Sequence, residues 1–386
     1  MHGTIESIFR VEWRPLAELA AVTADWRALV SRALEPNVFY DPAFALAAVT
    51  VFGPDTGAGL VWSRGATPVL LGLFPVRIER HRYGVPFPML SSWTHAYAPL
   101  GTPLVDHRSA EAVIAAWLDH VSHDPALPKR LMMPLLPTQG PLAQAFDAAI
   151  ARTGGRSAAY AHHQRALLAP GDDRAAYIDN AIGRKRLKEL RRQLRRLGES
   201  GPLTFETAHE PTAVKTALAQ FIDLEASGWK GRARTAARHD ADVRTFMEKV
   251  IPDLARNGDA CVTRLVLDGR TIAALILLRS NDTIWAWKIA YDESVARASP
   301  GVQILLYATQ ALLDDSATAR ADSCASAGHP MIDHIWRERL DVADRLIRIG
   351  PDGETAFAIA CTLENLRRTV IAFAKRGRGL VRRATA

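Results

Sequence analysis

Apolar and polar residues alternate through residues 5–13 (IESIFRVEW), the period of a half-buried strand, and after Trp13-Arg14-Pro15 the period lengthens to that of a helix running to about Arg32. Tyr40-Asp41-Pro42 opens a second helix. Strand patterns follow at Gly59–Ser63, Pro68–Glu79 and, more loosely, Met89–Ala98; then come a helix at Ala110–Val121, a strand at Arg130–Leu135, a helix at Leu142–Arg152 and a strand at Tyr160–Leu168. The prolines within 85–88 and 99–103 keep those stretches irregular, because proline cannot donate to a sheet ladder.

A polar connection at residues 170–183 separates this half from the next. Past it, Leu187, Leu190, Leu194 and Leu197 share one helical face while Arg and Lys fill the rest. The pattern predicts a strand at Leu203–Glu206, helices at Pro211–Ser227 and His239–Ala255, a hairpin of Cys261–Leu267 and Thr271–Arg279 about the Asp268-Gly269 turn, and a strand at 283–290. A helix follows Ser299-Pro300-Gly301. Ala319–Ala325 reads as a strand, Pro330–Leu340 as a helix, Arg345–Ile349 as a last strand and Glu354–Lys375 as a C-terminal helix. The second half thus reads β α α β β β α β α β, and the first half gives nearly the same order, which implies an internal duplication.

At the junction between the fourth strand of the second half and the helix that follows it, Ser299 suits the N-cap and Pro300 the first helical position. Gly301 puts no side chain over the amides of Gly301, Val302 and Gln303, so this helix start is expected to be an anion site. A plain helix start with no ligand is the alternative. The first half carries Asp106-His107-Arg108-Ser109 at the same place, without a glycine.

Composition narrows the class. With 386 residues, 48% of them hydrophobic and 23% charged, the chain has material for two ordinary domains. Their expected bounds are 1–170, without a cofactor loop, and 171–350, followed by a helix and basic tail at 351–386. No apolar run reaches the roughly 18 residues of a membrane span, and Glu6, Glu12, Glu18 and Asp25 stand where a signal peptide would be basic then apolar, so a cytoplasmic protein is expected. Cys261, Cys324 and Cys361 are too dispersed for a disulfide framework or a zinc site, and no metal is expected. The net charge of +7 is local: eight Lys/Arg fall in 184–196 and seven in 367–386, leaving 33 bases against 40 acids elsewhere. DNA is therefore not indicated. Three readings stay open for the basic segments: a solvated face, contact with a phosphorylated or otherwise anionic acceptor, and peripheral attraction to an anionic membrane surface or RNA. The tail lacks an apolar face after Phe373, which argues against an inserted anchor.

The residues Phe221-Ile-Asp-Leu-Glu-Ala-Ser-Gly-Trp-Lys-Gly231, Lys288-Ile-Ala-Tyr-Asp-Glu293, Ser299-Pro-Gly301 and Arg184-Lys-Arg-Leu-Lys-Glu-Leu-Arg-Arg192 resemble the CelD-type, cellulose-biosynthesis-associated branch of the GNAT acyltransferases, whose tandem domains are similar in layout to the Fem aminoacyl-transferases. The match covers about residues 175–340, and the first half fits by layout alone. The resemblance implies an α+β fold with a mixed sheet in two tandem GNAT-like domains. It implies that acyl-CoA, acetyl-CoA foremost, enters where the fourth and fifth strands of the second domain splay, its diphosphate on the amides after the fourth strand. The usual loop carries several glycines; here Gly301 stands alone.

Acyl transfer from a thioester needs a deprotonated acceptor, a donor for the developing oxyanion and a proton for the leaving thiolate. If the strands splay, Asp292, Asp322 and His329 face one crevice. His329 is then the expected general base, oriented by Asp322 or Asp292, since imidazole accepts a proton near neutrality. Loop capping is the plainer role for His329. Lys288, within an apolar strand, is either an edge charge or a group that steadies negative charge. Tyr291 and Tyr307 are candidates to protonate the thiolate, and Cys324 reads as a strand thiol rather than a nucleophile. In the fold this chain resembles, the loop with Trp229, Lys230 and Arg232 covers the acceptor, so a small or saccharide-type amine or hydroxyl is expected there. Two rivals stand beside this reading: a Fem-like transferase using aminoacyl-tRNA, and a non-catalytic scaffold.

Overall fold

A computed structural model describes residues 8–171 and 174–384, with side chains as far as Ala374. The first half contains β1 (Phe9–Pro15), α1 (Thr23–Val30), α2 (Pro42–Phe52), β2 (Gly57–Ser63), β3 (Leu70–Glu79), β4 (Met89–Ser92), β5 (Leu104–Val105), α3 (Ala110–His123), β6 (Arg130–Pro137), α4 (Pro141–Arg152) and β7 (Arg156–Leu168). The connection then holds a short helix, α5 (Tyr177–Ile182), and the leucine-faced basic segment forms α6 (Arg184–Gly198). The second half continues with β8 (Leu203–Ala208), α7 (Pro211–Ser227), the short α8 (Trp229–Arg232), α9 (Ala241–Ala255), β9 (Ala260–Leu267), β10 (Arg270–Ser280), β11 (Thr283–Tyr291), α10 (Pro300–Asp314), β12 (Arg320–Asp322), β13 (Glu338–Arg348) and α11 (Glu354–Ala384).

Local chemistry explains some of these starts. Asp41 caps α2 by accepting from the Ala43 amide at 2.8 Å, with Pro42 in the first turn. Asp240 caps α9 by accepting from Asp242 and Val243, each at 3.1 Å. Asp268, at φ 49°, and Gly269, at φ 74°, make the two-residue turn of the β9–β10 hairpin.

All the strands join one mixed sheet, ordered β1-β2-β3-β4-β6-β13-β7-β12-β11-β10-β9-β8, with β5 on β3. That order is symmetric about its middle. β4 meets β6 in parallel over two residue pairs, and β11 meets β12 in parallel over three. The last strand of each half is exchanged: β13 lies between β6 and β7, and β7 lies between β13 and β12. The duplication expected from element order is therefore built into the sheet.

Two expectations fail here. Residues 330–340 do not form a helix; a short 3-10 turn at Ile332–His334 is followed at Glu338 by β13, about three turns' worth of pattern being overridden by pairing with β6 and β7 on both sides. The fifth strand of the second half ends at Asp322 rather than Ala325, because Cys324 takes φ 53°.

The largest core runs across both halves. Helix α2 packs on α9, bringing Phe44 to 5.3 Å and Phe52 to 5.2 Å from the Phe246 ring, both edge-on. Phe39 and Phe44 also meet Trp285 and Trp287 of β11, each at 6.0 Å. A separate core under α3 and α4 belongs to the first half, and another under α10 to the second.

Candidate functional site

Strands β11 and β12 share only Thr283–Arg320, Ile284–Ala321 and Trp285–Asp322, so β11 runs on from Ala286 to Tyr291 with no partner on that side. A bulge falls at the same place. Lys288 faces Ile276 and Ala286 faces Leu277 on β10, which leaves Trp287 unmatched. Bulges bend a strand and strengthen its twist, and this one lies where β11 turns away from β12.

The start of α10 closes one end of the divergence. Ser299 sits in the left-handed region (φ 54°, ψ 48°) and makes no side-chain cap. Its carbonyl accepts from Val302 at 2.9 Å and Gln303 at 3.0 Å, so two of the three amides expected to be free are already bonded. Gly301 is buried, and a Cβ there would lie 2.9 Å from the Tyr291 ring and 3.1 Å from Met331 Sδ. Gln303 is also committed: its side-chain amide donates to Leu190 O at 2.8 Å and pins the basic helix α6 against this junction. The expected three-amide cradle reduces to the Gly301 amide. Beside it is a cavity of about 300 Å³ walled by Ile182, Arg186, Leu190, Val302, Met331 and His334. Arg186 is the one arginine lining that cavity, and the rest of its wall is mostly apolar.

A charge cluster stands on the C-terminal half of β11, next to Tyr291. Glu225 of α7 is 3% exposed and lies on the helix's apolar stripe with Val214, Leu218 and Phe221. Its Oε1 accepts from Lys230 Nζ at 2.9 Å and pairs with Lys288 Nζ at 3.2 Å, while Oε2 accepts from the Ala237 amide at 3.0 Å. Burial pushes the Glu225 carboxyl up, but Lys288, Lys230 and that amide outweigh it and hold the group below its usual range. Burial lowers the Lys288 ammonium despite Glu225. Tyr97 of the first half lays its ring 4.5 Å from Lys288 Nζ, and its carbonyl accepts from Trp287 Nε1 at 2.8 Å. Burial, with Glu225 nearby, moves the Tyr97 hydroxyl up to about 12. Lys288 was legible in the sequence as a cation in an apolar strand. Glu225 and Tyr97 are not among the sequence candidates; the one local hint at Glu225 is a carboxylate on an apolar helical stripe.

The neighbouring segment 229–232 is a short helix rather than a loop. Trp229 is 57% exposed, its amide donates to Glu293 Oε1 at 2.7 Å, and Arg232 pairs with Glu293 Oε2 at 2.6 Å. The Arg232 and Trp229 bonds hold the Glu293 carboxyl below its usual range. Trp229, Lys230, Glu225 and Tyr291 line one shallow depression, and Tyr291 also covers Gly301, so it separates the two recesses.

The carboxylates expected to orient His329 are used elsewhere. Asp322 is buried and bound to Arg165 of β7, whose Nη1 donates to Pro99 O at 2.8 Å. Its other oxygen accepts from the Cys324 amide at 3.0 Å. Asp292 caps the turn that follows it by accepting from Ser294 at 2.8 Å, and pairs with Arg270. His329 Nδ1 accepts only a long 3.4 Å bond from the Met331 amide, which places a neutral ring's proton on Nε2. The expected His329–Asp pair therefore does not form, because each carboxylate already has a cation. Burial and Asp322 push the Cys324 thiol well up, which removes it as a nucleophile. Tyr307 stacks on Phe205 at 4.4 Å, away from these recesses.

Residues 184–325 match the family model described as an acetyltransferase (GNAT) domain. The second half carries a GNAT domain. No curated protein matches the chain. Among solved structures the chain is similar to FemX, at 10% identity and a TM-score of 0.55 over 85% of this chain and 96% of that one. It is also similar to the C-terminal (DUF2156) domain of a candidate lysylphosphatidylglycerol synthetase from Agrobacterium fabrum, at 13% identity and a TM-score of 0.54 over 88% and 95%. A conserved protein of unknown function from Bacteroides thetaiotaomicron aligns at 9% identity and a TM-score of 0.51 over 88% and 99%. At such identities these likenesses show the fold. The GNAT half, paired with a first half of the same layout, is of the acyltransferase type, a class that takes acyl-CoA in general. Among the described residues no group of three or more His, Cys, Asp or Glu is placed to hold a metal ion, and no helix is long and apolar enough to cross a membrane.

Proposed function

We propose that the chain transfers an acyl group, acetyl foremost, from acyl-CoA to an amine or hydroxyl of a small or saccharide-type acceptor. The observation that supports this reading best is the parting of β11 from β12 after Trp285, with the Gly301 amide and the Arg186 cavity at its mouth. The donor's phosphates are assigned to Gly301 and Arg186, with Ser299 and Val302 shaping the corner. Acyl-CoA supplies an activated thioester. The acceptor lies over Trp229, Lys230 and Arg232, with Lys288 supplying positive charge behind it. Tyr291, between the recesses, gives the thiolate its proton, and His329 takes the acceptor's proton at Nδ1, the ring nitrogen left without a proton, with no carboxylate behind its ring.

A thermal-shift titration tests the donor. A ligand at one hundred times its Kd stabilises the folded state by about 2.7 kcal/mol, so acetyl-CoA should raise the midpoint, and Gly301→Glu should abolish the rise by setting a carboxylate and its clash with Tyr291 at the phosphate position. No shift with any CoA thioester would defeat the assignment and favour the scaffold reading. His329→Ala should lower kcat by about 10²-fold with the melting midpoint unchanged, the loss expected of one proton-transfer group. An unchanged kcat would confine His329 to its loop.

One observation favours a second donor. Helix α6, tied through Leu190 to Gln303, exposes Arg184, Lys185, Arg186 and Lys188, a surface suited to a polyanion such as aminoacyl-tRNA, and Arg186 reaches the cavity beside Gly301. Binding of charged tRNA with acetyl-CoA ignored would select that reading.

A further inference from the structure

Helix α11 turns an uncovered apolar row outward. Ile359, Leu366, Val370 and Phe373 are 47, 60, 58 and 65% exposed, and spacings of seven, four and three put all four on one helical face. The opposite face is the docked one. It buries Phe357 and Ala360 against the sheet, and Glu364, fully buried, pairs with Arg82 and Arg368. Arg368 also reaches Asp344 of β13 at 2.7 Å. The apolar row is thus held away from the protein by the contacts that anchor the helix.

The charge of the segment says what covers the row. From Arg367 to the end of the chain the sequence holds seven Lys/Arg and no acid. Glu364, the last acid, is spent on Arg82 and Arg368. A second copy laid along the row would bring the same cations against them with no carboxylate to answer, which disfavours self-association. A surface of anionic lipid answers both features, since it takes an apolar stripe to the depth of the headgroup boundary and attracts the flanking bases.

We propose that α11 docks the protein flat on an anionic membrane surface, with Ile359, Leu366, Val370 and Phe373 entering the interface and the basic tail held at the lipid headgroups. The row ends at Phe373, so it supplies the apolar face that the tail beyond that residue lacks. The donor and acceptor assignments play no part in this inference.

Sedimentation of the full chain with vesicles tests it. Vesicles of phosphatidylcholine containing phosphatidylglycerol should bind the protein at least about tenfold more tightly than vesicles of phosphatidylcholine alone, and added salt should weaken the binding. Leu366→Glu with Val370→Glu should reduce binding to the anionic vesicles at least about tenfold while leaving the melting midpoint unchanged, because both side chains are exposed. Arg378→Glu with Arg382→Glu should reduce it without touching the row. Failure of the wild-type chain to bind anionic vesicles would overturn the proposal, as would binding that ignores lipid charge or survives the Leu366/Val370 exchange. A dimer seen by light scattering, dissolved by that exchange in a chain indifferent to vesicles, would assign the row to a second copy instead.

Discussion

Replacing Glu225 with alanine is expected to destabilise the protein by about 3–5 kcal/mol, because it leaves the Lys288 ammonium buried without a counter-charge. Lys288 has a side chain 14% exposed and, among the described residues, no other carboxylate within ion-pair distance, whereas Lys230, 29% exposed, can turn toward water. The same change frees the Ala237 amide, which donates to Glu225 Oε2. Urea denaturation reads the loss. Adding Lys288→Met should restore most of it, since a buried pair replaced by apolar groups is often neutral in cost while a broken one is not. If the single variant melts like the wild type, the cluster is not held as described. The pair also sets an acid limit. Glu225 binds its proton more weakly in the folded chain than in the unfolded one, whose carboxyl titrates near 4.5, so its stabilising contribution is complete above about pH 4.5 and drains as the pH falls through the depressed value. The Glu225→Ala variant should lose that part of the acid transition.

Asp322→Ala is expected to cost a comparable 3–5 kcal/mol, for a different structural reason. Arg165 of β7 and Asp322 of β12 have side chains only 2% and 4% exposed, and they bind each other where strands of the two halves meet. Removing the carboxylate strands the guanidinium, whose remaining partner among the described residues is the Pro99 carbonyl, and releases the Cys324 amide at the left-handed corner that ends β12. Chemical denaturation measures the cost, and Arg165→Met in the same chain should recover part of it. A fall in activity with full stability would instead return Asp322 to the catalytic role that the sequence suggested.

Much of the fold could be read from residue order because its signals are local. The Asp268-Gly269 hairpin, the capped start at Asp41-Pro42 and the leucine face of α6 each depend on a few neighbouring positions. What escaped depends on distant ones. β13 reads poorly as a strand because Arg339, Asp341 and Asp344 interrupt its apolar run, yet β6 and β7 pair with it on both flanks. The site divides in the same way. Lys288 is conspicuous as a cation among tryptophans, while Glu225 looks like one more helical acid until Lys288 and Tyr97, far away in the chain, converge on it. Ser-Pro-Gly marks the helix start at Pro300, but the occupation of Val302 and Gln303 by the Ser299 carbonyl follows from backbone angles that those residues do not disclose.

The crossed-over last strands govern how this polypeptide can be made. When Leu168 leaves the ribosome, β7 has no neighbour at all, since both flanking strands still await synthesis. At ordinary elongation rates the last of them emerges roughly 10–40 s later. Throughout that wait the nascent chain carries a thirteen-residue strand with two bare edges, the kind of surface that invites aggregation and that chaperones cover.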